Sequence, residues 1–220
     1  MPDPFRHYEG VPVLDLPADS PCPPAPCEDG PSFLSQLLFH SAAISASKVT
    51  PAGQRYALRV NPSSGNLHPT EFHFATRGLK NWPDGLCHYR PSSHMAEQRA
   101  LGDFTPHAPV TFFLTSIAWR EAWKYQSRAY RYCLHDIGHA WQSLVIAAQA
   151  MGCKDLALAD FSDDQISARL RLPHGEWPML IVETRQHWKI ELKQANRGPQ
   201  TVSAQLLTSW KPHSVPEACR

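Results

Sequence analysis

The chain of 220 residues has no CxxC pair, no GxGxxG, no block of lysine or arginine and no run approaching the ~20 apolar residues that a membrane-spanning helix needs. Each absence removes a class of protein. Without GxGxxG after a strand, a nicotinamide-binding βαβ unit is not expected. The six cysteines, at 22, 27, 87, 133, 153 and 219, form no regular framework, and a chain of this length can build a core without staples. Reduced thiols in a cytoplasmic setting are the expectation. Lys and Arg number 21 against 20 Asp and Glu, for a formal charge of +1, so nothing favours nucleic acid or an anionic membrane. The opening MPDPFRHYEG has neither a basic n-region nor an apolar h-region, which reads as soluble and not secreted. There is no internal repeat and no low-complexity tract.

What is present is organised along one domain-sized chain. Residues 1–31 form a proline-rich arm ending in ADSPCPPAPCEDGP, which cannot supply a steady ladder of backbone donors. In SFLSQLLFHSAAIS the apolar residues recur at helical spacing behind Ser32, predicting a helix from about Phe33 to Ser45. EFHFAT and GLCHYRP read as strands around a Pro83-Asp84-Gly85 turn. APVTFFLTSIAW reads as a strand buried on both faces and central to a sheet. A long helix is predicted from about Ser127 to Met151, apolar around much of its surface and stopped by Gly152. That pattern suits the middle of the molecule or a dimer interface. CKDLALADF, a helix capped by Ser162 and the strand PMLIVET follow, and the tail from Lys193 is polar. The mixture without strict βαβ alternation predicts an α+β fold with one mixed sheet and long helices against it.

Three stretches carry candidate chemistry. RVNPSSGNLHPTE, Arg59 to Glu71, is more elaborate than a turn requires. The hydroxyls of Ser63 and Ser64, the Asn66 amide and the backbone around Gly65 suit the edge of a planar heteroaromatic ligand, with Pro62 and Pro69 fixing entry and exit. An ordinary surface turn is the other reading. Lys124-Tyr125 stands among Trp119, Trp123, Arg128 and Arg131, and such a pair can serve as general acid and base. A solvated basic face is the alternative. In HDIGH, His135 and His139 have the i, i+4 spacing of zinc ligands, but Asp136 stands where HExxH has glutamate and no third ligand follows. Histidines satisfied at a helix-packing surface explain the pattern without a metal, so no metal residue is assigned.

Together RVNPSSGNLHPTEF, TSIAWREAWKYQSRAYRYCLHDIGHAW and EWPMLIVE resemble the FMN-dependent nitroreductase superfamily. They are most similar to its SagB-like branch of azoline oxidases and dehydrogenases, and there to the N-terminal half of tandem-domain bacterial members. The resemblance runs from about Pro4 to Glu183. It implies a three-layer α+β sandwich with a mixed, mainly antiparallel sheet and a long central helix, dimerising with FMN sites at the interface. It also implies a nitroreductase-like domain over 32–192 and a connector over 193–220. The family's PSSxN loop, which touches the flavin ring from the neighbouring subunit, matches Pro62, Ser63, Ser64 and Asn66. The catalytic Lys-Tyr pair of SagB-like oxidases matches Lys124-Tyr125. The implied reaction is hydride transfer between flavin and a small-molecule or peptide-derived substrate, in a homodimer or a heterodimer with another nitroreductase-like domain.

Two departures stand out. The RRSxR-like grip on the FMN phosphate is missing from the arm, leaving Arg6, Arg55 and Arg59 as substitutes. Where relatives carry Gly-Gly before a phenylalanine near the reactive flavin nitrogen, this chain has Ala159 and Asp160. The missing grip motivates an alternative: a flavin-poor, inactive half of a pseudo-dimer that completes a partner's site. A zinc hydrolase built on HDIGH is a lesser one.

Overall fold

The computed structural model describes residues 2–53, 55–105, 107–158 and 160–186. Ala159, the 192/193 boundary, the tail 193–220 and Cys219 therefore lie outside the described residues. A seven-stranded sheet has the order β1 (Val13–Asp15), β6 (Met95–Leu101), β5 (Gly85–Arg90), β4 (Thr70–Thr76), β7 (Val110–Ile117), β9 (Glu176–Gln186), β8 (Cys153–Leu158). Its six ladders are antiparallel, and the parallel contact among the described residues is an isolated bridge between Asp29 and Lys80.

The alternation of β4 and β7 divides the sheet into two unlike faces. Phe72 and Phe74 stand opposite Leu114 and Phe112 in register, and all four are buried against α1 (Gly30–Ala42) and α3 (Ala129–Ala150). Leu34, Leu37 and Leu38 of α1 and Ala140, Leu144 and Ala148 of α3 complete this core. Each fully buried leucine or phenylalanine contributes about 1.5–3 kcal/mol. The opposite face is covered at one end by α4 (Asp163–Leu170), whose Leu170 packs with Ala75, Leu86, Phe113 and Ile181. The rest of that face is polar. Glu71 and His73 of β4, His88 of β5, Glu97 of β6 and Glu176 of β9 are buried there, with Arg6 and Tyr8 of the arm packed on them. Helices, sheet, then helix and arm make three layers.

The structure shifts several sequence-derived boundaries. α1 starts earlier than expected because Asp29, not Ser32, is the cap: its carboxylate accepts from both the Ser32 N–H and the Ser32 hydroxyl. Gly30 is required there, since a Cβ would lie 2.6 Å from the Lys80 carbonyl oxygen. The arm is not wholly irregular, because Val13, Leu14 and Asp15, a proline-free interval between Pro12 and Pro17, pair with β6. Ser162 caps α4 as expected, accepting from Gln165 N–H. β2 (Ile44–Val49) and β3 (Arg55–Arg59) form a separate, largely exposed hairpin that the sequence pattern did not reveal.

The long helix expected from about Ser127 to Met151 is α3, and a short helix that the sequence reading did not assign precedes it. α2 (Trp119–Tyr125) ends at Gln126, whose φ of 49° breaks the helical path, and a 3₁₀ turn over Gln126–Arg128 leads into α3. Lys124 and Tyr125 thus close a short helix of their own. No helix among the described residues is long and apolar enough to cross a membrane.

Candidate functional site

The polar loop joins β3 to β4 and is fastened from within. Ser64–Asn66 forms a single 3₁₀ turn, and Gly65, Asn66 and His68 all adopt positive φ. Asp136 of α3 is its anchor. Its carboxylate accepts from Ser63 Oγ at 2.8 Å, from Ser64 Oγ at 2.9 Å and from the Ser64 N–H at 3.0 Å. Asn66 Nδ2 donates to the Ala57 carbonyl and Asn66 Oδ1 meets His68 Nε2, each at 2.9 Å, while the His68 N–H donates to Ser63 Oγ. Burial pushes His68 down to about 3, so its ring is neutral and Nε2 is the donor to the Asn66 oxygen. The side chains expected to face a ligand are therefore occupied holding the loop's shape.

What the loop presents outward is Gly65. A Cβ at this position would stand 2.7 Å from Tyr125 Oη and 2.8 Å from Lys124 Nζ, so the ends of both side chains lie against Gly65, whose φ of 61° also favours glycine. Two motifs about sixty residues apart in sequence, read separately, thus meet at one point. Tyr125 stacks on Tyr132 of α3 with ring centroids 4.1 Å apart, and Lys124 Nζ lies 5.4 Å from the Tyr125 centroid. Trp119 and Trp123 are more than half exposed on the same short helix, and Arg128 and Arg131 are exposed just beyond it. An amine, a phenol and flat apolar surface gathered around a glycine suit the edge of a planar ring, and a side chain at Gly65 would fill the approach.

Beneath this surface lies a charged framework. Arg120 Nη1 donates to the His68 carbonyl at 2.7 Å and to Glu71 Oε1 at 2.6 Å. Glu71 in turn meets His88, which also meets Glu97. These hydrogen bonds hold His88 above its ordinary value against the cost of burial, and Glu71 below its own. Glu121, beside Arg120, is different: it is buried, and neither carboxylate oxygen has a hydrogen-bond partner among the described residues.

The remaining sequence candidates separate from this point. Arg59 is buried and donates to the carbonyls of Thr70 and Pro4, with its guanidinium over the Phe5 ring. Arg6 pairs with Glu176 at 3.2 Å. Arg55 is exposed on β3. Asp160 is exposed just past β8, and Pro62 is exposed at the loop's entry. His135 and His139 lie on the open side of α3 and not in a packed surface, and no group of three or more metal-type side chains occurs among the described residues. Sequence reasoning saw Asp136 only as the aspartate of HDIGH and missed its hold on the loop, whose serines are 72 and 73 residues away, and it missed Glu121, which looks like any first-turn glutamate.

Similarity to known proteins covers the same residues. The model of the nitroreductase family matches residues 41–183. MJ1384, described as a nitroreductase of Methanocaldococcus jannaschii, is 22% identical over 162 residues, covering 68% of this chain and 77% of its own. The microcin B17-processing protein McbC of Escherichia coli is 27% identical over 145 residues, 57% of this chain and 53% of McbC. A nitroreductase crystal structure from Anabaena variabilis superposes with a TM-score of 0.77 at 24% identity, over 99% of this chain and 47% of that one. The E. coli microcin synthetase McbBCD complex with truncated pro-MccB17 contains a chain with a TM-score of 0.59 at 18% identity, over 82% of this chain and 70% of that one. The chain spans about half the length of McbC and of the Anabaena protein.

Proposed function

The chain belongs to the nitroreductase family, and from that premise we propose that it is an FMN-dependent oxidoreductase of the SagB-like kind, acting on a small-molecule or peptide-derived substrate. The observation that carries this reading is the contact of Lys124 and Tyr125 with Gly65, which sets an acid/base pair against the loop expected at the flavin edge. The likeness to McbC, named for processing microcin B17, supports the peptide-derived alternative among substrates.

Flavin, when bound, would supply the hydride acceptor or donor. The chain's own residues would do the rest. The Gly65 turn, held by Asp136, would set the ring edge, and Trp119 and Trp123 offer flat surface beside it. Lys124 Nζ and Tyr125 Oη would take up or deliver the substrate proton, a role that general acid/base groups fill with about 10²–10⁴-fold effect. For the phosphate, Arg55, Arg128 and Arg131 offer exposed guanidinium groups, since Arg6 and Arg59 are engaged within the chain.

The visible spectrum of the purified protein, before and after adding FMN and desalting, tests the cofactor. Retained flavin bands are expected. Lys124→Ala should keep those bands but lower oxidation of azoline-containing peptides, followed as oxygen consumption, by about 100-fold or more. Normal turnover by Lys124→Ala would reduce the lysine to a surface charge.

A second reading is favoured by the engagement of Arg6 and Arg59. The chain would be the flavin-poor half of a pseudo-dimer, colourless alone and yellow only with another nitroreductase-like domain. In either reading the partner docks on the outer side of α3, where Leu134, Trp141 and Ile146 are exposed.

A further inference from the structure

Glu121 has no part in the proton transfer proposed for Lys124 and Tyr125, yet it shares their short helix and the field of Lys124 reaches it, and a role for it rests on the acid/base reading of the two. It is 0% exposed, and both Oε1 and Oε2 lack donors among the described residues. The charged groups facing it are Asp136 from α3 and Lys124 from its own helix, and His139 faces Asp136 in turn. Two carboxyl groups therefore share the α2–α3 junction. Asp136 receives the Ser63 and Ser64 bonds, which oppose the effect of its burial, whereas Glu121 receives none. Of the two, Asp136 is equipped to hold charge and Glu121 to hold a proton. Burial, then repulsion from Asp136, pushes the Glu121 carboxyl up to about 8, while Lys124 draws it the other way.

We infer that Glu121 is a positioning residue: as a neutral acid it leaves the Lys124 amine without an anionic partner on its own helix, so that the amine can exchange a proton beside Gly65. An ionised glutamate three residues before a lysine on a helix favours the charged side chain by the small worth of one helical charge pair. None of the described ion pairs includes Lys124. Glu121 touches no reacting atom and acts only through the lysine.

The test uses the full chain, with FMN present, as parent, Glu121→Gln and Lys124→Ala. Infrared spectroscopy should show, in the parent below about pH 8, a protonated-carboxyl carbonyl band that fades above it and is missing from Glu121→Gln. Acetic anhydride labelling of Lys124 above that pH should be about twofold faster or more in Glu121→Gln, the size of one charge pair on a helix. In Lys124→Ala, an exposed change that leaves the core intact, the band should persist to higher pH than in the parent, because coupled sites shift each other. A missing band in the parent, or a midpoint unmoved by Lys124→Ala, overturns the inference whether or not Glu121→Gln folds. These readouts need neither flavin nor turnover: coupling without flavin retention would sink the oxidoreductase reading alone, and flavin retention without coupling would sink this one alone.

Discussion

At the residue scale the chemistry depends on which polar groups are satisfied. Ser63, Ser64 and Asn66 look like ligand-facing groups in sequence, but each is held by a partner inside the chain. Glu121 is the reverse, an unremarked glutamate left buried without a donor. Its titration has a consequence for stability. The carboxyl moves from an ordinary 4.5 to about 8 on folding, so between those values the folded chain binds more protons than the unfolded one. Stability therefore falls as pH rises through that interval and changes no further above it. Glu121→Gln removes the dependence. Calorimetry should find the variant's Tm above the parent's by a margin that grows from about pH 5 to pH 8, and a constant margin would mean that the carboxyl titrates normally. The pair Lys124-Tyr125 and the PSSGN loop were legible from residue type, but the partners that organise them, some seventy residues away, were not.

At the element scale the decisive feature is the break between α2 and α3. The helix expected from about Ser127 to Met151 is α3, whereas α2 before it was not foreseen, because a helix of 7 residues is too short for apolar periodicity to announce it. The break lets the α2 terminus turn to Gly65 while α3 keeps Asp136 under the loop. Asp136→Ala leaves the hydroxyls of Ser63 and Ser64 and the Ser64 N–H without their acceptor, at a cost of about 2–4 kcal/mol. The expected result is a lower Tm with faster amide exchange confined to about Ser64–His68. Unchanged exchange there would show that the loop holds its shape without α3. Other misses have similarly local causes. Asp29 takes the helix cap from Ser32 because its carboxylate satisfies both Ser32 donors, and β6, with Glu97, Gln98 and Arg99 in MAEQRAL, shows no apolar alternation to announce a strand.

For the whole molecule, the two sheet faces divide the work. One is an apolar core against α1 and α3, and the other buries a histidine-carboxylate network, with Arg120 tying that network to the His68 carbonyl and so to the loop. The outer side of α3 carries Leu134, Trp141 and Ile146 into solvent, with Ile146 59% exposed. If this side meets a second copy, Ile146→Asp should shift the sedimenting species from dimer towards monomer while leaving the circular dichroism spectrum unchanged. A parent that sediments as a monomer at every concentration would leave the heterodimeric arrangement as the surviving form of the proposal.

Sequence by itself determined the elements with strong periodicity and the identity of the chemical groups. The α+β class, the strands β4, β7 and β9, the capped α4, the glycine-centred loop and the Lys-Tyr pair could all be read from local pattern, because hydrophobic period and turn chemistry act over a few residues. Tertiary structure alone decided that the loop's side chains point to Asp136, that Gly65 meets Lys124 and Tyr125, and that Glu121 has no partner. Those outcomes depend on how β3, α2 and α3 converge in space, and burial and charge coupling exist only once distant segments exclude water from one another.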